Sequence, residues 1–345
     1  MKTLFFPLIF FVLSILYSFK NEINQIYPTQ TTTEIDSIVK IAGVQNEFVI
    51  DYQFLENNLY LQISKIKKDY YLKTFDANNQ IETHLLDIKP TSLFKDASGK
   101  IYILTKNKAF HLKLNPFIEL DSYYTLDYFD KFIANAIQVK QDYILTQSID
   151  KTTKEYSVFI NKKDSPIQKM LNINYLNAIS YNAYEQKTRG SKEIYKHAAG
   201  YKRYYLDLKN TQVFNNYNVN LRTSPSINIA SYTLDSLIYT FDLLNNKLIT
   251  TNIHSTIQTE YNLELFHENK PQIQLDEFTK EFFISTYEKG SFVVYKVNLN
   301  DGTLNEKFIL KTHLYPDNIK INDGVIYFTS ISEMGFSKLY GARLF

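Results

Sequence analysis

The sequence contains no cysteine and no tryptophan, and only 9 glycines and 8 prolines among its 345 residues. Without cysteine there is no disulfide framework, no thiolate zinc site, no cysteine nucleophile and no lipid-modified cysteine. The scarcity of glycine and proline excludes a collagen-like chain and a flexible linker. The formal net charge of +2 is small. It argues against a nucleic-acid partner, because nucleic-acid-binding proteins carry a concentrated basic face.

Motifs for common catalytic and metal sites are missing as well. The chain has no Gly-x-Ser-x-Gly elbow, no glycine-rich phosphate loop and no complete calcium loop, so we expect no cofactor, no metal and no identifiable catalytic residue. A pair of catalytic carboxylates stays open, because two carboxylates about 5–10 Å apart need not be close in sequence. The fragments Asn300–Gly302 and Asn322–Gly324 resemble pieces of calcium loops, and we interpret them as hairpin turns.

The six histidines show no H-x-x-x-H spacing of the kind that binds zinc. We interpret His84 and His111 as ordinary strand residues. His254 and His267 flank an acidic stretch, and the alternative that they are loop ligands stays open. Asp76, Asp207 and Asp242 recur at the ends of similar runs. The regularity favours a role in turns over a unique catalytic role.

Aromatic residues are abundant, with 28 tyrosines and 25 phenylalanines, and hydrophobic residues make up 44% of the chain. This composition supports a packed core and argues against disorder. Tyrosine and phenylalanine favour half-buried pleated surfaces, and we find no sustained helical periodicity outside the N-terminus. The sequence therefore predicts an all-β fold.

The N-terminus has the pattern of a secretory signal. Lys2 precedes an apolar run from Leu4 to Leu16, which is short for a membrane-spanning helix of about 20 residues. We expect a signal peptide or N-terminal anchor over residues 1–19 and a polar linker over 20–34. The sequence then predicts an exported protein of a bacterial periplasm, cell surface or exterior. It is tethered to the membrane only if the segment stays uncleaved.

A repeat of about 44 residues runs through the rest of the chain, from residue 35 to 345. Two short β-like runs recur in each unit, as in Ile101–Ile103 followed by Phe110–Leu114. Blades of β-propellers recur at about 40–50 residues. The pattern predicts seven four-stranded blades, or six if the long polar unit around 181–210 is an insertion. The last unit lacks its outermost strand, and we expect the N-terminal run Ile35–Ile41 to complete it.

The chain resembles the β-propeller superfamily over about residues 35–345. The segment Ile227–Ile253, with Tyr239–Asp242 followed by Leu243–Lys247, looks like blades of exported bacterial propellers of unknown role. The resemblance implies a ring with a central channel and loops on two faces, and it implies no chemistry.

The strongest candidate for a ligand site is a basic and aromatic segment over residues 181–210, with seven Lys or Arg and three acidic residues. Such a segment binds anions or sugars through stacking and ion pairing. The residues that we select for ligand binding are Arg189, Lys192, His197, Tyr201 and Arg203. The alternative interpretation is that this segment is a solvated long hairpin.

These observations lead to three hypotheses of function. The first is an exported, noncatalytic binding or scaffold protein whose partner is an unknown protein, glycan or small molecule. The alternative is a carbohydrate-active hydrolase or lyase with its site at the central channel of the propeller. A third is a membrane-tethered sensor, which requires an uncleaved N-terminal segment.

Overall fold

The computed structural model describes residues 31–42, 46–55, 60–75, 80–114, 118–150, 155–175, 229–255, 257–264, 271–311, 315–332 and 335–345. These residues form six β-sheets, the blades of a β-propeller, together with one short helix. Each sheet has four antiparallel strands, and one of them has a fifth, parallel strand. The expected all-β propeller is therefore confirmed.

The strands and the helix follow one another along the chain in a regular order. The N-terminal strands are β1 (Thr31–Ile35) and β2 (Val39–Ala42). The first sheet contains β3 (Glu47–Phe54), β4 (Tyr60–Ile66), β5 (Asp69–Phe75) and β6 (Gln80–Leu86). The second contains β7 (Ser92–Lys95), β8 (Ile101–Leu104), β9 (Lys108–Lys113) and β10 (Glu119–Thr125), which α1 (Leu126–Phe132) follows.

Four further sheets complete the chain. The third sheet contains β11 (Ala136–Val139), β12 (Tyr143–Ile149), β13 (Glu155–Lys162) and β14 (Gln168–Asn174). The fourth contains β15 (Ile229–Leu234), β16 (Leu237–Asp242), β17 (Lys247–Asn252) and β18 (Gln258–Asn262). The fifth contains β19 (Gln272–Asp276), β20 (Glu281–Glu288), β21 (Ser291–Val297) and β22 (Leu304–Leu310). The sixth contains β23 (Asp317–Asn322), β24 (Val325–Ile331) and β25 (Ser337–Arg343), with β2 beside β25.

The chain divides into two compact units, and the core of each lies between consecutive sheets. Residues 43–262 carry the first four sheets, and residues up to 42 together with 263–345 carry the last two. In the larger unit, Leu61 and Ile63 of the first sheet pack with Ile103 of the second. In the smaller unit, Phe283 of the fifth sheet and Phe328 of the sixth belong to one buried cluster. Apolar faces of neighbouring sheets thus cover each other.

The predicted completion of the last sheet by an N-terminal strand is confirmed. Strand β2 pairs antiparallel with β25, with Val39 opposite Gly341. The preceding strand β1 was not predicted, because its residues are polar. It pairs parallel with β22 as a fifth strand of that sheet, and Ile35 at its end is buried. Two consecutive sheets of the smaller unit therefore each gain a strand from the N-terminal part of the chain.

Six sheets are present among the described residues, which is the lower of the two predicted blade counts. Ile238–Asp242, a copy of the second run of the repeat, lies in β16, the second strand of the fourth sheet, whereas the copy Phe110–Leu114 overlaps β9, the third strand of the second sheet. The third strand is β17, so this unit is of ordinary length. The unit proposed around residues 181–210 lies outside the described residues.

Helix α1 corrects the expectation that no helix follows the N-terminus. Its seven residues make two turns, too few for a helical period to stand out from a β pattern. Thr125 caps the helix, since its hydroxyl accepts a hydrogen bond from the Tyr128 amide at 3.4 Å. Within the described part of the chain, no helix combines the length and hydropathy that crossing a membrane requires.

Candidate functional site

The residues selected from the basic and aromatic segment, Arg189, Lys192, His197, Tyr201 and Arg203, all lie outside the described residues. Two further histidines, His267 and His313, also lie outside the described residues. His84 and His111 lie in β6 and β9 and are strand residues, as predicted. The backbone amide of His254 donates to the Asn252 side chain at 2.8 Å, in the turn after β17.

The interpretation of the Asp-Gly fragments as hairpin turns is confirmed. Asp301 accepts hydrogen bonds from the amide and the hydroxyl of Thr303, at 2.9 and 2.7 Å. Asp323 and Gly324 have φ values of 51° and 67°, as a type I′ turn requires.

Of the recurring aspartates, Asp242 has the predicted turn role, because its carboxylate accepts hydrogen bonds from the Asn245 amide and side chain. Asp76 and Asp207 lie outside the described residues. In the described ranges, no group of three or more acidic or histidine side chains is placed to hold a metal ion.

The structure shows a different candidate site, an exposed cluster of aromatic side chains on the second sheet and its helix. We call it the aromatic surface; it comprises Tyr124, Tyr128 and Phe132. Tyr128 is 48% exposed and Phe132 56%, and Tyr124 is half-buried. Exposure of several neighbouring large aromatic residues is unusual for a protein surface and marks interaction sites.

A buried residue of α1 holds the aromatic surface in place. Phe129 is 1% exposed and packs edge-to-face on Phe94 and Tyr102, with ring centroids 5.2 and 5.1 Å apart. The Tyr102 hydroxyl donates to Asp96 at 3.2 Å. Burial, reinforced by Asp96, raises the pKa of Tyr102, so its hydroxyl stays a donor. The helix is therefore fixed to the sheet by its inner face while its outer face carries the exposed rings.

Three rings of the aromatic surface form a continuous row. Tyr124 stacks on Tyr128 with centroids 5.4 Å apart and planes 12° apart, and Tyr128 lies 4.8 Å from Phe132. Tyr128 and Phe132 are four residues apart on α1 and lie on one side of the helix, and Tyr124 contacts Tyr128 from the end of β10. These mutual contacts restrict the rotamers of the three rings.

Two further rings, Tyr123 and Phe110, lie on the opposite face of β10 from Tyr124, because adjacent strand residues point to opposite faces, and they are not part of the aromatic surface. Tyr123 packs against Phe110 at 5.7 Å, and Lys108 Nζ lies 3.7 Å from the Tyr123 centroid. Lys131 Nζ lies 5.1 Å from the Phe132 centroid. The aromatic surface thus has a lysine ammonium group beside its Phe132 ring.

The aromatic surface was not predicted from the sequence. The spacing of Tyr124, Tyr128 and Phe132 is readable in the sequence, but 15% of the chain is aromatic. Only the structure separates these exposed rings from the many that pack in the core, such as Phe129.

No family model matches the chain, and no curated protein matches it either. Among solved structures, the chain is similar to a catalytically inactive virginiamycin B lyase from Staphylococcus aureus with quinupristin. That likeness has a TM-score of 0.42 and 11% identity, and covers 90% of this chain and 99% of that one. A luciferin-regenerating enzyme has a TM-score of 0.42 and 10% identity, over 89% and 95% of the two chains. Hsv2 from Kluyveromyces lactis has a TM-score of 0.38 and 9% identity, over 83% and 72%. At these values the similarities assign no function to this chain.

Proposed function

We propose that this protein is an exported binding or scaffold protein that holds a protein partner through the aromatic surface. The observation that carries the proposal is the row of Tyr124, Tyr128 and Phe132, of which Tyr128 and Phe132 are exposed. Tyrosine and phenylalanine are enriched at protein interfaces, where they bury a large area at a small cost in conformational entropy. Export is proposed from the sequence alone, from the apolar run Leu4–Leu16.

The shape and charge of the surface support a protein partner. Tyr128 and Phe132 project from α1 beside the strand that carries Tyr124, so a groove or a flat surface on the partner is the natural complement of the row. Asp127 and Lys131 flank the row on the same helix, and both are exposed. An apolar centre with a charged rim is the usual anatomy of a protein–protein interface.

The test compares three forms of the mature chain as bait against proteins of the cell exterior and envelope. They are wild type, Tyr128→Ala/Phe132→Ala, and the control Tyr315→Ala/Phe278→Ala, which removes two aromatics that are 81% and 65% exposed elsewhere. A protein retained by wild type is then purified, and its dissociation constant is measured by calorimetry with each form. We expect at least a tenfold loss of affinity for Tyr128→Ala/Phe132→Ala, because exposed rings of this kind act as hot spots.

All three forms must first melt at the same temperature, so that a loss of binding reports on the surface and not on folding. Equal affinity of the purified partner for all three forms would refute the proposal. So would a dependence on Tyr315 and Phe278 in place of Tyr128 and Phe132.

A further inference from the structure

Strand β1 joins the fifth sheet as an added strand. It lies parallel to β22, with Thr31 opposite Glu306 and Ile35 opposite Leu310. All other neighbouring strands that the structure describes pair antiparallel. Residues 36–38 lead from β1 to β2 in the sixth sheet, so β1 is not one arm of a hairpin with β22. The edge of β22 therefore holds β1 in the way that a sheet edge binds an extended peptide.

Few side-chain contacts determine which strand occupies the edge of β22. Ile35 is 6% exposed and packs in the buried cluster that β22 shares with the sixth sheet. Its carbonyl accepts a hydrogen bond from the Lys311 amide at 3.0 Å. Glu34 forms an ion pair with the Lys311 side chain, and these two side chains are 54% and 51% exposed. The side chains of residues 31–34 all lie on the surface. The edge thus binds an extended strand through its backbone, one apolar anchor and one acidic side chain.

The position of β1 allows it to leave this edge without disturbing another strand. It is the end strand of its sheet and precedes the other elements that the structure describes. The link to β2 is short, and Asp36 and Ser37 within it are exposed. Short hinges of this kind favour the exchange of an element between copies of a chain.

Every copy of this chain carries both the strand and the edge that binds it. When the link straightens, β1 can form the same backbone pairing on the β22 of a second copy, and Ile35 can occupy the same buried position. Because the contacts are the same in both cases, the exchange loses no interaction of β1, which makes it a low-cost route to a dimer. A second copy is the occupant that fits, since residues 31–35 already match this edge.

We propose that two copies of this protein exchange β1 and so form a dimer. Each copy contributes residues 31–35 to the fifth sheet of the other, where Glu34 pairs with Lys311 of the partner subunit. Both copies use the same surface, as twofold symmetry requires. This interface does not include the aromatic surface, so the dimer goes beyond the proposed function and does not depend on it.

The first test uses the absence of cysteine from the chain, which makes introduced cysteines the only thiols. Glu34→Cys and Ile309→Cys are prepared separately, because these two residues are opposite each other in the β1–β22 pair. Adjacent strands lie close enough for a disulfide, whereas strands two positions apart do not. The two variants are mixed at high concentration under reducing conditions and then oxidised, and we expect a covalent heterodimer. The control mixture replaces Ile309→Cys with Ser291→Cys, an exposed position on β21, and should give at least tenfold less heterodimer.

The second test shortens the hinge. Deletion of Ser37 should keep β1 from reaching its own β22, while the β22 of a second copy stays within reach. We expect the deletion to lower the dimer dissociation constant at least tenfold in sedimentation equilibrium, and Ser37→Ala to change it less than twofold. Adding Ile35→Ala to the deletion should raise the constant again at least tenfold, because the exchanged strand loses its anchor.

Equal yields from the two cysteine mixtures, or no heterodimer from either, would overturn the proposal. So would a Ser37 deletion that keeps the circular dichroism of wild type and stays monomeric. If the deletion does not fold, the cysteine mixtures decide. Tyr128→Ala/Phe132→Ala should exchange β1 like wild type, so a failure of the dimer leaves the proposed protein partner untouched.

Discussion

At the scale of single residues, one buried ion pair of the first sheet is central to stability. Glu47 Oε1 accepts hydrogen bonds from Lys73 Nζ at 2.7 Å and from Gln62 Nε2 at 3.1 Å. The Glu47 side chain is 1% exposed and that of Lys73 8%. Removing one partner leaves the other charge in a poorly solvated place, so we predict that Lys73→Met costs about 3–5 kcal/mol in the free energy of unfolding. Glu47→Gln/Lys73→Met should regain most of that loss. Urea unfolding at neutral pH measures both.

A matched control exists on the fourth sheet, where Lys247 Nζ lies 2.6 Å from Glu260 with side chains 40% and 53% exposed. Lys247→Met should cost less than about 1 kcal/mol, because water screens an exposed pair. If Lys73→Met cost no more than Lys247→Met, burial would not determine how much the Glu47–Lys73 pair contributes to the free energy of unfolding. Sequence alone did not predict this pair, because Glu47 and Lys73 meet only through the register of three strands.

At the scale of elements, strand β1 depends on one apolar side chain. Ile35 is 6% exposed and belongs to the cluster that contains Phe308 and Leu310, whereas Thr33 of the same strand is exposed. We predict that Ile35→Ala lowers the free energy of unfolding by about 2–5 kcal/mol. The control Thr33→Ala should stay within about 0.5 kcal/mol. Hydrogen exchange should also quicken at the amides of β22 in Ile35→Ala. Equal stability of the two variants would show that backbone pairing alone holds β1.

The elements also show what the sequence can and cannot predict. The run Phe110–Leu114, with its period-two alternation, falls largely in β9, because alternation encodes a buried and an exposed face: Leu112 is buried and Lys113 is exposed. The position of a strand within its sheet depends on its partners, so two copies of the same sequence run, Ile238–Asp242 and Phe110–Leu114, occupy different positions in their sheets. Strand β1 was missed because its polar residues gain their stability from pairing with β22. Of the candidate binding features, the sequence shows the enrichment in tyrosine and lysine, but only the fold shows which aromatic rings are exposed.

At the scale of the whole molecule, the large number of buried phenols predicts sensitivity to alkali. Burial raises the pKa of Tyr156 and Tyr175, and it raises the pKa of Tyr232 to about 12. An unfolded tyrosine ionises near pH 10. The raised pKa values therefore stabilise the fold fully below about pH 10, and that stability is lost as the pH rises through the native pKa values. Each such tyrosine lowers the free energy of unfolding by up to about 1.4 kcal/mol per pH unit in that window.

Tyr175→Phe tests this directly, because it removes one buried ionisable group and keeps the ring. Tyr175 is fully buried, whereas Tyr315 is 81% exposed, so Tyr315→Phe is the control. We expect the stability of Tyr175→Phe to fall less steeply than that of wild type above pH 10, while Tyr315→Phe follows wild type. Urea unfolding at a series of pH values gives the slopes, and tyrosinate absorbance shows when the phenols ionise. If the buried phenols ionised near pH 10 with the circular dichroism unchanged, their burial would not protect them. If instead they ionise together with the loss of β-structure, ionisation of the buried tyrosines is coupled to the unfolding of the protein at high pH.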